Sequence, residues 1–212
     1  MPDISEEFSQ SLVELSGLLM SSSDKETTLH RVAELAERMA AECDGVSVTL
    51  LTNGEPTTAA CTVEVAGVID NVQYEAGEGP CLDAVDQLQV FIVPSMPEGS
   101  SWPDFRAAAS ESGMMSSLSL PLTFGGRSFG ALNLYSREPH AFHDCRELGL
   151  VFAAQAGVAL AKAELRQASE RMLHEAAQTV RTADVVSQAV DILVEQRGCT
   201  REEAIEMLRQ HS

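Results

Sequence analysis

Two periods of apolar residues alternate along this chain. In residues 4–21 the side chains Ile4, Phe8, Leu12, Leu15 and Leu19 recur at helical spacing, and in 27–42 Leu29, Val32, Leu35, Ala36 and Met39 repeat the pattern, which predicts two amphipathic helices. After Asp44-Gly45 the period shortens. VSVTLLT (46–52) and TTAACTVEV (57–65), separated by Asn53-Gly54-Glu55-Pro56, predict a strand pair joined by a hairpin. Further strands are expected over 89–96 (QVFIVPSM), 115–124 (MSSLSLPLTF) and 127–136 (RSFGALNLYS), the last two turning at Gly125-Gly126. Between them WPDFRAAASESG (102–113) predicts a short helix opened near Pro103 and closed at Gly113. From Asp144 onward there is no proline, and Leu148, Val151, Phe152, Ala156, Ala159, Leu160 and Ala163 mark a long helix. The predicted fold class is α+β: an antiparallel sheet with helices on one face, followed by an all-helical tail.

The tail, QAVDILVEQRGCTREEAIEMLRQHS (188–212), predicts two helices around a tight turn. Gly198 stands where a helix C-terminal stop belongs, and Thr200 with Glu203 forms a T-x-x-E capping box for the helix that follows. Ala189, Ile192 and Leu193 are expected to pack against Ala204, Ile205 and Leu208.

Composition narrows the functional classes. The chain has 212 residues, 44% of them hydrophobic, enough for a real core plus a small appendage, and the pattern divides it into 1–165 and 166–212. Residues 1–165 hold 8 Lys and Arg against 24 Asp and Glu, whereas 166–212 hold 6 against 8, so most of the net charge of -18 belongs to the larger part. Such a body repels nucleic acid and anionic membrane, and any nucleic-acid contact is local to the near-neutral tail. No window approaches eighteen consecutive apolar residues, and the acidic start MPDISEEFSQ is unlike a signal peptide, so a soluble, cytoplasmic protein without a membrane partner is expected. Five scattered cysteines without a CxxC suggest reduced thiols.

Candidate chemistry is sparse. If Pro80 opens a helix through Val85, Cys81 lies at the positive end of its dipole, which lowers a thiol pKa and makes Cys81 a candidate redox-sensitive residue; a small buried thiol is the other reading. The GEGP run lacks the Gly-Lys-Ser/Thr ending of a phosphate loop. His30, His140, His143, His174 and His211 show no metal-type pairing, and His143 or Asp144 is expected as a helix cap. No catalytic set is evident, and Trp102 and Phe105 are expected in the core or lining a pocket.

The order of elements, together with QYEAGEGPCLDAV (73–85), LPLTFGGRSFGALNLYS (120–136) and FHDCRELGLVFAAQAGVALAKA (142–163), resembles a GAF domain of bacterial one-piece sensor-regulators over roughly residues 10–165. In that family the GAF domain precedes an ANTAR domain, a three-helix module that binds RNA hairpins in nascent transcripts and prevents termination. Val185, Val186, Gln188, Ala189, Ile192 and Leu193 fall on its first signature, and Gly198, Thr200, Glu203, Ala204, Leu208 and Arg209 on its second. The chain departs from the pattern at Ala183, where the module has arginine, and at Ala189-Val190-Asp191, where it reads Ala-Lys-Gly. The module's last helix would follow Ser212, so the tail reads as an incomplete ANTAR module.

The resemblance implies a GAF-like sheet domain controlling an RNA-binding tail, with 73–85 closing one side of the GAF pocket. The candidate RNA contacts are Arg181, Gln188, Arg197, Thr200, Arg201 and Arg209, with Asp191 as a repelling charge. Expected partners are RNA hairpins, a small-molecule or protein signal of unassigned identity, and a second copy of the chain. Dimerisation would use the helices over 4–21 and 144 to about 180 through Leu12, Leu15, Leu19, Val151, Leu160 and Leu165. No cofactor is assigned. Two other classes stand beside this one: an interaction module without RNA binding, and an enzyme like the GAF-fold free methionine sulfoxide reductases, for which Cys61 and Cys81 are the one cysteine pair in the sheet region.

Overall fold

The structure, a computed structural model, describes residues 6–20 and 24–210. The chain forms two compact units, Met1–Leu165 and Arg166–Ser212.

The first unit is built on β1 (Gly45–Thr52), β2 (Glu55–Cys61), β3 (Phe91–Val93), β4 (Ser116–Phe124) and β5 (Arg127–Ser136), arranged in the order β2-β1-β5-β4-β3. Every neighbouring pair is antiparallel. The hairpins turn where the sequence predicts. Asn53 and Gly54 (φ 56° and 89°) join β1 to β2, and Gly125 and Gly126 (φ 61° and 78°) join β4 to β5, left-handed pairs whose twist suits the flanking strands.

Helices cover both faces of this sheet, where one face was expected. On the first face lie α1 (Glu6–Met20), α2 (Lys25–Glu37) and the opening turns of α6 (Arg146–Arg197). Phe8, Leu15, Val32, Leu35, Phe152, Ala156 and Leu160 from these helices meet Val46, Val48, Leu118, Leu120, Leu132 and Leu134 from the strands in one apolar core. The second face carries α3 (Glu64–Ala76), α4 (Pro80–Gln87) and α5 (Pro103–Glu111), with a smaller core of Ala66, Ile69, Val93, Met96, Phe105, Ala109 and Tyr135.

Helix α3 is absent from the sequence reading, which runs a strand to residue 65; β2 ends at Cys61 and the chain enters α3 at Glu64. The buried face of α3 is Ala66, Ile69, Asp70 and Gln73, which has helical spacing but is half polar, so hydrophobic periodicity misses it. The strand expected over 89–96 shrinks to Phe91–Val93. His143 and Asp144 do not open α6; they pair with each other at 2.9 Å, and the Cys145 carbonyl accepts from the Gly149 N–H at the true helix start.

One window of α6 is long and apolar enough, by length and composition alone, to cross a membrane. Almost half of that window is buried, and Phe152, Ala153, Ala156, Ala159 and Leu160 fill the core of the first unit, which is the behaviour of a core helix.

In the second unit α6 ends at Arg197, Gly198 takes the left-handed conformation (φ 64°), and α7 spans Arg201–Gln210. The capping box forms as its spacing predicts: the Glu203 N–H donates to Thr200 Oγ1 at 3.2 Å, and the Thr200 N–H to Glu203 Oε2 at 2.9 Å. Among the described residues of this unit, Val190 and Ala204 are the buried apolar side chains. Ala189, Leu193, Ile205 and Leu208 are half-buried, while Ile192, expected in the contact, is 53% exposed.

Candidate functional site

Strand alternation makes the first site. Residues facing α1, α2 and α6 are apolar, whereas their neighbours Ser47 and Thr49 on β1, Ser117 and Ser119 on β4 and Asn133 on β5 face the other way and are all buried. A polar sheet face thus lies sealed beneath α3 and α4. Polar groups removed from water need partners, and Asn133 Nδ2 meets Ser47 Oγ and Thr49 Oγ1, whereas Ser117 Oγ and Asn133 Oδ1 have no partner among the described residues.

Asp70 of α3 is at the centre and fully buried. Its Oδ1 accepts from the Tyr135 hydroxyl at 2.6 Å and from Asn133 Nδ2 at 3.2 Å, and its Oδ2 accepts from the Thr58 hydroxyl at 3.0 Å. Asn133 Nδ2 also lies 3.2 Å from Ser47 Oγ, Thr49 Oγ1 and Cys81 Sγ, so two hydrogens serve four acceptors. No ion pair reaches Asp70 among the described residues. Burial pushes its carboxyl up to about 6, against the pull of hydrogen bonds from Ser47, Tyr135, Thr58 and Asn133. Tyr135 and Tyr74 are raised as well, first by burial and then by the Asp70 charge.

Cys81 lies where the sequence places it, with Pro80 at the start of α4. Its electrostatics follow the buried-thiol reading and run against the dipole-lowered one. The thiol is fully buried, and burial first, then the negative charge of Asp70, push it up to about 12, overriding the helix dipole. The first-turn amide that would favour a thiolate is engaged, the Cys81 N–H donating to Gln73 Oε1 at 3.0 Å. That contact explains Gly79: at φ 154° it is left-handed, and a Cβ there would collide with the Gln73 side chain. Residues 73–85 are therefore helix, turn and helix, and α4 is seated directly on the polar face. All five cysteines are free thiols, and Cys81 meets Thr49 and Asn133 rather than Cys61. Phe105 is core, and Trp102 is half-buried, its indole N–H donating to Asp83 on α4 at 3.1 Å.

The second site is exposed. Arg181, Gln188, Arg197, Thr200, Arg201 and Arg209 all lie on the surface of the second unit. The fold brings Arg201 back onto α6, where it donates to Ser187 Oγ at 3.0 Å and Asp191 Oδ1 at 2.7 Å, the residue just before Gln188 and the one a turn after it. Asp191 therefore neutralises the first cation of α7. Arg209 stands 3.7 Å from Glu206, while Arg181 and Arg197 form no ion pair among the described residues.

The sequence reading gave no role to Asp70, Gln73, Tyr74, Asn133 and Tyr135, although all but Asp70 fall in the segments 73–85 and 120–136 that carry the family resemblance; a further signal was the helical spacing of Asp70 and Gln73 with Ala66 and Ile69.

Comparison with known proteins gives the class. The family model of the GAF domain matches residues 22–161, and the chain belongs to that family. The ANTAR domain model matches residues 174–212, so the chain joins a GAF sensory domain to an ANTAR domain, both regulatory modules. No curated protein matches it. Among solved structures it is similar to the GAF domain of an Acinetobacter phosphoenolpyruvate-protein phosphotransferase (TM-score 0.56, 16% identity, covering 77% of this chain and 98% of that one). It is similar too to the free methionine-R-sulfoxide reductase of Neisseria meningitidis (TM-score 0.58, 16% identity, 76% and 91%). A third is the chromophore-binding domain of bacteriophytochrome RpBphP3 from R. palustris (TM-score 0.58, 14% identity, 78% and 65%). These likenesses are of fold.

Proposed function

We propose that the chain is a homodimeric, cytoplasmic sensor-regulator in which a signal at the GAF domain controls binding of RNA hairpins by the ANTAR domain, and through it transcription antitermination. The observation that carries the reading is the capped Gly198-Cys199-Thr200 turn inside the ANTAR match, with exposed Arg197 and Arg201 on either side of it. Cations flanking a rigid turn can meet RNA phosphates while Gln188 and Thr200 offer neutral donors and acceptors. The Asp191–Arg201 pair weakens this surface without abolishing it, because exposed ion pairs exchange readily for phosphate.

Dimerisation is supported by α6. Val151, Val158 and Leu165 recur at heptad spacing, and Val151 and Leu165 are 50% and 70% exposed, the character of a seam that pairs with a second copy. Leu15 and Leu160 are spent in the chain's own core, so Leu165 rather than these carries the interface. Leu12 is half-buried against that core, and the side chain of Leu19 lies outside the described residues.

Titrating the full chain into a two-hairpin RNA at several salt concentrations tests the reading. Arg181→Ala and Arg197→Ala are each expected to lower the log-log salt slope by about one unit. Asp191→Asn should tighten binding a few-fold, and Leu165→Glu should convert a dimer to a monomer in sedimentation and weaken binding. If neither the natural chain nor Asp191→Asn binds at low salt, the interaction-module reading replaces this one.

A further inference from the structure

No cation lies beside the buried carboxylate of Asp70 among the described residues, yet a row of hydroxyls leads from it to half-buried side chains. Thr58 Oγ1, bonded to Asp70 Oδ2, lies 3.0 Å from the Tyr74 hydroxyl, which lies 2.8 Å from Thr49 Oγ1, which lies 3.2 Å from Cys81 Sγ. Thr58 and Tyr74 are half-buried, whereas Asp70, Thr49 and Cys81 are sealed. The row is a continuous chain of groups that each donate and accept, opening at Thr58 and Tyr74 and closing on α4.

Its direction is set by the charge on Asp70. With the carboxylate ionised, Thr58 donates to it, Tyr74 donates to Thr58, Thr49 to Tyr74, and the Cys81 S–H to Thr49. With the carboxyl protonated, its own O–H donates to Thr58, every hydroxyl turns over, and the Thr49 hydrogen points to Cys81 Sγ. Both arrangements use every hydroxyl of the row, and they differ by one proton on Asp70 and by whether the Cys81 S–H is engaged.

The groups facing Asp70 are of one kind. Tyr135 approaches from β5, Tyr74 from its own helix and Cys81 from α4, each neutral because each is raised. Strands β1, β2 and β5 add Ser47, Thr49, Thr58 and Asn133, and α5 packs on this side through Phe105 and Ala109. Nothing cationic competes for the role of counter-charge among the described residues.

We propose that Asp70 is a proton-binding site of the GAF domain, loaded through the Thr58 and Tyr74 hydroxyls, whose occupancy reverses the hydroxyl chain and is read out at α4. The inference is independent of RNA binding. Its pH window follows from the direction of the shift. The carboxyl is raised above its unfolded value near 4, so the fold is most stable below that value, loses stability as pH rises to about 6, and is level above.

Carboxyl-carbon NMR of the full chain, with Asp70→Asn to assign the signal, tests this directly. Asp70 is expected to titrate with a midpoint near 6, and the Cys81 amide resonance to move with the same midpoint in the natural chain but not in Asp70→Asn. The unfolding constant should rise about forty-fold between pH 4 and 6.5 beyond any rise in Asp70→Asn. Thr58→Val removes a donor to the charged form and should move the midpoint higher, a test that holds even if Asp70→Asn fails to fold. A midpoint at or below about 4.5, a Cys81 amide indifferent to the titration, or a midpoint unmoved in Thr58→Val would each overturn the proposal.

Discussion

In the first unit the polar side chains that make the site, Asp70, Asn133, Ser47 and Thr49, are all buried, whereas in the second Arg181, Arg197, Arg201 and Arg209 are all exposed. The first arrangement needs two packed layers to exist. Three helices and a sheet hold it, and a hydrogen bond there is made in a medium where leaving it unmade is costly. The second needs only a helix, a left-handed glycine and a capping box, and its arginines compete with water at every moment. A buried polar network responds to small chemical changes within it, while an exposed cationic face meets large partners. The division matches a sensory domain joined to an output domain.

The contrast can be broken first by attacking the cores. Phe152 is fully buried in the first unit, and Phe152→Ala should cost about 3–5 kcal/mol in urea unfolding. Val190 is buried in the tail, as is Ala204, and Val190→Ala should cost about 1–2 kcal/mol. Equal costs would mean that the tail has a core as cohesive as the sheet domain, and the comparison would fail.

A smaller effect sharpens it at the thiols. Because burial and Asp70 hold Cys81 up at about 12, a thiol probe at neutral pH should label it on the order of a hundred-fold more slowly than half-buried Cys61 or Cys199. Mass spectrometry after timed labelling reads this, and fast labelling of Cys81 in the folded chain would restore the redox-sensor reading.

The smallest effect concerns the cap. Thr200→Ala removes the hydroxyl that receives the Glu203 N–H and should weaken α7 by about 1 kcal/mol, seen as lost helical circular dichroism on mild heating. The Cys81 labelling rate should not change with it, since the two sites belong to different units. A change there would show coupling between sensor and tail that the cap itself transmits.

Local chemistry sufficed for much of this protein. The hairpins at Asn53-Gly54 and Gly125-Gly126, the helix entry at Pro80, the stop at Gly198 and the capping box of Thr200 and Glu203 were all legible, because each depends on residues a few positions apart. Apolar strand and helix periods likewise located the core, with Phe152 and Leu160 of α6 meeting Val46 and Leu132 of the sheet. Tertiary structure alone decided the rest. Hydropathy marks Asp70, Gln73 and Asn133 as solvent residues, and they are buried because two layers close over them and supply partners drawn from positions up to 86 residues apart, as between Ser47 and Asn133. The same closure turned Cys81 from a dipole-activated thiol into a suppressed one, since desolvation depends on what packs around an atom and not on its neighbours along the chain.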